Sequence, residues 1–274
     1  MDARTADPPT ALPDAPLLVE LDEAVAVLTL NRPDARNALS EAMLAALGSA
    51  LANISQNRAV RAVVIAAHGP AFSAGHDIKE LTARRADPDG GRAYFKQLMS
   101  GCSAMMQMIV RLPQPVIAAV EGIASAAGCQ LVASCDLAVA SQTARFGTPG
   151  VNIGLFCSTP MVALSRNVAS KHAMEMLLTG EPISAEEAFR IGLVNRVVAA
   201  GAARAEAMAL AAKIASKAAA VVKLGKEAFY RQAEMDLAGA YAYTAEIMAE
   251  NMMVRDAEEG LGAFIEKRSP RWET

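Results

Sequence analysis

The sequence predicts an α/β fold built on parallel strands, and three observations carry that reading. Short apolar runs of strand length recur at residues 62–67, 116–120, 136–140 and 144–148. Long stretches with helically spaced apolar residues lie among them, notably 41–56 and 92–111. Small-residue turns sit at two strand-to-helix junctions, Phe72-Ser73-Ala74-Gly75-His76-Asp77-Ile78 and Gly122-Ile123-Ala124-Ser125-Ala126-Ala127-Gly128-Cys129-Gln130. Strand, tight turn, helix and strand again, in that order, set successive strands parallel.

Taken in order, residues 17–21 and 24–30 read as two strands of a hairpin around Asp22-Glu23. Pro33-Asp34 marks a turn, and Ser40 suits the N-cap of a helix over 41–56 because its hydroxyl can accept from a first-turn N–H. Residues 62–67 read as a buried strand. Asp87-Pro88-Asp89-Gly90-Gly91 is a loop before a helix over 92–111, which Pro113 and Pro115 end. On that helix Met105, Met106, Met108 and Ile109 read as core, since methionine fills irregular interior space. Ser158 or Thr159 is expected to cap the helix that follows. Ser184-Ala185-Glu186-Glu187 has the capping-box pattern, with the hydroxyl on an N–H and Glu187 reaching back. Residues 193–198 form one more short strand. Residues 202–268 read as three or four helices without a strand. The domain plan is a disordered arm over 1–16, a core over 17–200 and a helical region over 201–274. That helical region is too elongated to bury itself and is expected to pack on another subunit.

Composition narrows the function. An apolar share of 53% supports a sizeable core, and a net charge of −3 without a basic run argues against nucleic-acid binding. No uncharged run of about 18 apolar residues predicts a membrane span. Four cysteines without a CxxC pair and three histidines without ligand spacing predict no metal site. Reduced thiols point to a cytoplasmic protein. Residues 1–16 lack the basic and apolar regions of a secretory signal, and their acidic residues argue against a transit peptide.

The two small-residue turns carry the chemistry. Small residues let backbone N–H groups approach a ligand, and a helix start leaves N–H groups unpaired beside a partial positive charge. Two such turns converging on one carbonyl oxygen would make an oxyanion hole. The second turn ends in an amide, Gln130, where acid–base chemistry wants a carboxylate.

Several motifs resemble the crotonase superfamily, the enoyl-CoA hydratase/isomerase family. Leu30-Asn31-Arg32-Pro33 with Asn37-Ala38-Leu39 resembles its first motif, residues 72–78 its second and 119–131 its third. Phe146-Gly147-Thr148-Pro149, residues 180–194, Glu259-Gly260 and residues 264–268 match later ones, so the likeness spans about residues 17–268. Within the family the chain looks most like the subgroup called enoyl-CoA hydratase domain-containing proteins, of the mitochondrial type, through residues 126–136 and 148–160.

The resemblance implies a crotonase fold, a superhelix of β-β-α turns with a C-terminal helical trimerisation region. It implies an acyl-CoA substrate, with coenzyme A entering as part of that substrate and no covalently bound cofactor, and a homotrimer or a dimer of trimers. Oxyanion donors are then the N–H groups of His76 and Ala127. The CoA contacts map to Arg36 and Ala38, to Ala74, Asp77 and Ile78, and to Phe264 and Lys267, the last two from a neighbouring subunit. The family's working hydratases use two glutamates, and those positions hold Gln130 and Gly150 here. Losing a general acid or base costs about 10²–10⁴ in rate, so efficient hydration is not expected. Gly150 is expected to leave space for a water, an anion or a bulkier acyl group. Decarboxylation of the methylmalonyl-CoA type, weak hydration, thioester hydrolysis and non-catalytic acyl-CoA binding stay open. Cys157 lacks a visible histidine partner and is not read as a nucleophile.

Overall fold

The computed structural model describes residues 15–273, so the arm expected at 1–16 lies outside the described residues except for Ala15 and Pro16. Strands β1 (Leu17–Asp22) and β2 (Val25–Leu30) pair antiparallel, with Leu17 opposite Leu30. Helix α1 (Glu41–Gln56) follows, and the Ser40 hydroxyl accepts from the Met43 N–H at 3.2 Å. Then come β3 (Ala62–Ala67), β4 (Ala71–Ser73), α2 (Ile78–Ala83) and α3 (Arg92–Arg111). The next turn comprises β5 (Val116–Val120), β6 (Ile123–Ser125) and α4 (Ala127–Ser134). After it come β7 (Leu137–Ser141), β8 (Arg145–Gly147), α5 (Pro160–Asn167) and α6 (Ser170–Thr179). The chain ends with β9 (Ile183–Ser184), α7 (Ala185–Arg190), β10 (Arg196–Val198), α8 (Ala203–Ala215), α9 (Ala219–Gln232), α10 (Leu237–Met252) and α11 (Arg255–Glu266).

Each turn of the chain lays one strand in a large sheet and a short one in a second sheet. The large sheet runs β1-β2-β3-β5-β7-β10 and is parallel from β2 onward. The second runs β4-β6-β8-β9, parallel except for its last pair. Of these short strands only β8 lies in a run read from sequence, 144–148, and β4, β6 and β9 carry too little periodicity.

From β2 to β7 the large sheet is buried on both faces. Along β2, Ala26, Leu28 and Leu30 join the main core with Met43, Leu47 and Leu51 of α1 and Met105, Met106 and Ile109 of α3. Val25 and Val27 face the other way, onto Ala203, Ala207 and Ala211 of α8. A continuous apolar strand is what two covered faces require. Helix α8 therefore closes the sheet's second face, so the first helix of the 201–274 region packs with the core. Helices α9 to α11 leave large apolar side chains exposed, among them Phe229, Tyr241 and Phe264.

Two local expectations fail. The Ser184 hydroxyl does accept from the Glu187 N–H at 3.1 Å, but the Glu187 carboxylate does not reach back. It pairs with Arg190, with Nε to Oε2 at 2.7 Å. A guanidinium fork is a stronger partner for a carboxylate than a neutral amide. Thr159 stands at the N-cap of α5 without a side-chain cap, and the Ser158 hydroxyl donates to the Phe156 carbonyl. Pro160 at the first helical position already removes one N–H that would need a cap.

Candidate active site

The first small-residue turn is built on β4. Ala74 N–H donates to the Arg36 carbonyl at 3.0 Å, and Leu39 N–H donates to the Gly75 carbonyl at 2.8 Å. Residues 36–39 thus run beside 74–76 as a short parallel bridge. Asn37 organises this pairing, although the sequence reading assigned it no role. Its buried amide accepts from Arg32 N–H at 2.8 Å and donates to the His68 and Ala71 carbonyls, each at 2.8 Å. The Ser73 hydroxyl closes the loop on the Asn37 carbonyl at 2.9 Å. Arg36 and Asn37 both adopt positive φ near 50°, a region that asparagine tolerates.

The second turn meets the first backbone to backbone. A Cβ on Gly75, which has φ +93°, would lie 3.0 Å from the Ala126 Cβ and 3.3 Å from the Ala127 nitrogen. A Cβ on Gly128 would lie 2.3 Å from the Ser73 carbonyl oxygen. Glycine is required at both places because only bare backbone lets the turns touch. Ala126 takes φ 49° and ψ −116°, a strained conformation for a residue with a side chain, and its N–H is tied to the Gly147 carbonyl at 2.9 Å. Helix α4 starts immediately after it. Among the described residues no backbone acceptor pairs with the N–H of His76 or of Ala127.

The side chains at the meeting point are neutral. Both ring nitrogens of His76 are buried, with the Leu39 carbonyl close enough to act on the ring proton. Burial pulls the imidazole's pKa down, partly opposed by the Leu39 carbonyl. Gln130 stands on α4 one turn beyond Ala127, is 4% exposed, and its Oε1 has no partner. Asp77 is already occupied: it caps α2 by accepting from Lys79 N–H at 3.1 Å and pairs with Arg32 at 3.3 Å. Ala74 is half-buried and Ala38 buried, while Ile78 and Arg36 are exposed.

Gly150 does not leave the expected space. A Cβ there would lie 2.4 Å from the Leu155 carbonyl oxygen and 2.9 Å from the Cys157 sulfur. The missing side chain has been replaced by chain, because Leu155 N–H folds back onto the Gly150 carbonyl at 2.9 Å. Burial pushes the Cys157 thiol up, so it is no thiolate at neutral pH. Phe264 and Lys267 are not brought to this site within one chain. Phe264 on α11 is 84% exposed, Lys267 ends that helix with φ 56°, and α11 packs on α9 and α10.

A parallel sheet paired with a second sheet of short strands thus brings two glycine-containing turns together backbone to backbone at a helix start. The family model described as enoyl-CoA hydratase/isomerase matches residues 20–274, and the chain belongs to that family. It is similar to the rat enoyl-CoA hydratase domain-containing protein 3, mitochondrial, at 49% identity over 245 residues, covering 89% of this chain and 80% of that protein. Among solved structures it is similar to an enoyl-CoA hydratase of Mycobacterium smegmatis, with 57% identity and a TM-score of 0.90 over 94% of this chain and 99% of that one. The human enoyl-CoA hydratase domain-containing protein 3 superposes with a TM-score of 0.89 at 48% identity, over 94% of this chain and 100% of that one.

The cytoplasmic location expected from the cysteines is overturned, since the rat, mouse, human and frog relatives at 47–50% identity carry a mitochondrial name. Unpaired thiols do not tell one reducing compartment from another.

Proposed function

We propose that this protein binds acyl-CoA thioesters and stabilises negative charge on the thioester oxygen with the N–H groups of His76 and Ala127. The close approach of Gly75 to Ala126 and Ala127, with neither the His76 nor the Ala127 N–H donating to a backbone acceptor among the described residues, carries the reading. A thioester oxygen gathers charge when its Cα loses a proton or a carboxylate, or when the carbonyl carbon is attacked. Fixed amide donors in a water-poor site favour all three. Family membership supports the acyl-CoA part of the proposal.

Brisk hydration of a conjugated double bond is not part of it. Gln130 cannot take a proton at neutral pH, and nothing titratable stands at Gly150. The reaction is therefore one that asks for the oxyanion donors and no paired carboxylates. Non-catalytic acyl-CoA binding is the second reading, favoured by the same two neutral positions. The test incubates the protein with crotonyl-CoA, methylmalonyl-CoA and saturated acyl-CoAs and reads products by mass spectrometry. Turnover of a thioester other than crotonyl-CoA is expected. Fast crotonyl-CoA hydration would sink the argument from residues 130 and 150, and binding without any product would favour the second reading.

Restoring the glutamates should not restore hydration. In a Gln130→Glu, Gly150→Glu variant the new side chain at 150 has no room, since its Cβ alone meets the Leu155 carbonyl. Gly150→Ala by itself is expected to cost about 1–3 kcal/mol, as overpacking does. Urea melts and a crotonyl-CoA assay check both outcomes.

A further inference from the structure

Helix α11 is held to the rest of the chain by little. Helix α8 buries Ala203, Ala207 and Ala211, whereas α11 buries only Asp256 and Ala263. Helix α9 is pinned to the core by Lys226 and Tyr230, which reach Asp136 at 2.7 and 2.9 Å. No such pin serves α11. Among the described residues, Arg255 to Glu273 make one hydrogen bond, and no ion pair, to residues before Val254. In it the Trp272 indole N–H donates at 2.9 Å to the carbonyl of Ser216, which directly follows α8.

That bond belongs to a strap over residues 268–273. Lys267, at φ 56°, reverses the chain after α11. Arg268 then forks onto the Glu259 carboxylate at 2.6 and 3.0 Å, and the Arg271 N–H donates to the same carboxylate at 2.7 Å. The Glu273 N–H donates to Asp256 Oδ1 at 2.8 Å. The strap therefore lies back along α11, with the Trp272 ring over Gly260, where a Cβ would come within 3.3 Å of it. Between α9 and α11 the packing is open, since Val221, Val222, Leu261 and Trp272 border a cavity of about 510 Å³. We propose that Trp272 is a latch: seated, it holds α11 on the end of α8, and unseated, it lets α11 and the strap swing away together while the sheet stays folded. The bonds of Arg268, Arg271 and Glu273 all end on α11, so they travel with the helix and do not oppose the opening. Segments with few buried apolar contacts open at lower free energy than the core. Phe264 and Lys267 ride on the moving piece, so the latch sets where those two side chains stand.

Hydrogen exchange of the full chain, read by mass spectrometry, tests the latch. Amides of 255–266 should exchange faster than those of β3 and β5 in the unaltered protein. Trp272→Ala should speed exchange over 255–266 by about tenfold more and leave β3 and β5 unchanged. Trp272→Phe keeps a ring over Gly260 and loses the N–H, so its increase should be smaller. Trp272 is the sole tryptophan of the chain, so its emission reports the seat without any substitution. In urea that emission should shift at a lower concentration than the far-ultraviolet circular dichroism is lost. Unchanged exchange over 255–266 in Trp272→Ala overturns the proposal. Equal acceleration in β3 and β5 also overturns it, because Trp272 would then support the whole fold. Coincident urea transitions of the unaltered protein overturn it too, whether or not the alanine variant folds.

Discussion

Ala127→Pro is expected to lower turnover of the protein's thioester substrate by about 10²–10³, the usual effect of losing one oxyanion donor. Ala127 is the first residue of α4, where the N–H has no intrahelical acceptor, so proline removes a donor without breaking the helix. The residue before a proline avoids some backbone conformations, and Ala126 is already strained at φ 49°. The companion variant Ala127→Gly keeps the N–H, and most of the activity should survive it. A proline variant that folds and turns over normally would place the hole elsewhere.

Lys226→Met is expected to cost about 3–5 kcal/mol of stability, the range for breaking a buried ion pair from one side. Lys226 reaches from α9 into the core, where its ammonium bonds Asp136 Oδ2 at 2.7 Å, the Ile109 carbonyl at 3.0 Å and the Gln114 carbonyl at 3.1 Å. All three of its protons are used. Asp136 also accepts from Val116 N–H at 2.7 Å and from the Tyr230 hydroxyl at 2.9 Å. Side-chain exposures of 7% for Lys226 and 15% for Asp136 leave little water to screen the loss. Burial pulls the Lys226 pKa down, and the charge of Asp136 opposes that pull. Methionine would strand a buried carboxylate and two carbonyls. A urea melt reads the effect as a lower midpoint, and an unchanged midpoint would mean that water reaches the pair. Tyr230→Phe removes a single hydroxyl and should cost about 1 kcal/mol.

Much of the frame was legible because its signals are local. Residues 41–56 and 92–111 announce α1 and α3 through apolar spacing and flanking Ser40 and Pro113, and both helices occupy those residues. Four buried strands of the large sheet were legible as unbroken apolar runs. Of the second sheet only β8 was, inside the run read over 144–148, since β4, β6 and β9 have two or three residues each and are held by pairing across long sequence separations. Glu187 misled for a related reason, because its choice between a backbone N–H and Arg190 depends on side-chain geometry.

The site divides in the same way. Sequence alone determined the family, the positions of the two small-residue turns and the neutral residues at 130 and 150, because residue identity and order suffice for these. Only the tertiary structure decided that Gly75 and Gly128 bring the turns into contact, that Asn37 ties residues 36–39 to the first of them, and that the Leu155 carbonyl fills the place of a side chain at Gly150. The first two join segments far apart in sequence, and the third is a local fold-back of the chain. Residue type permits such a contact, but only packing determines where it falls.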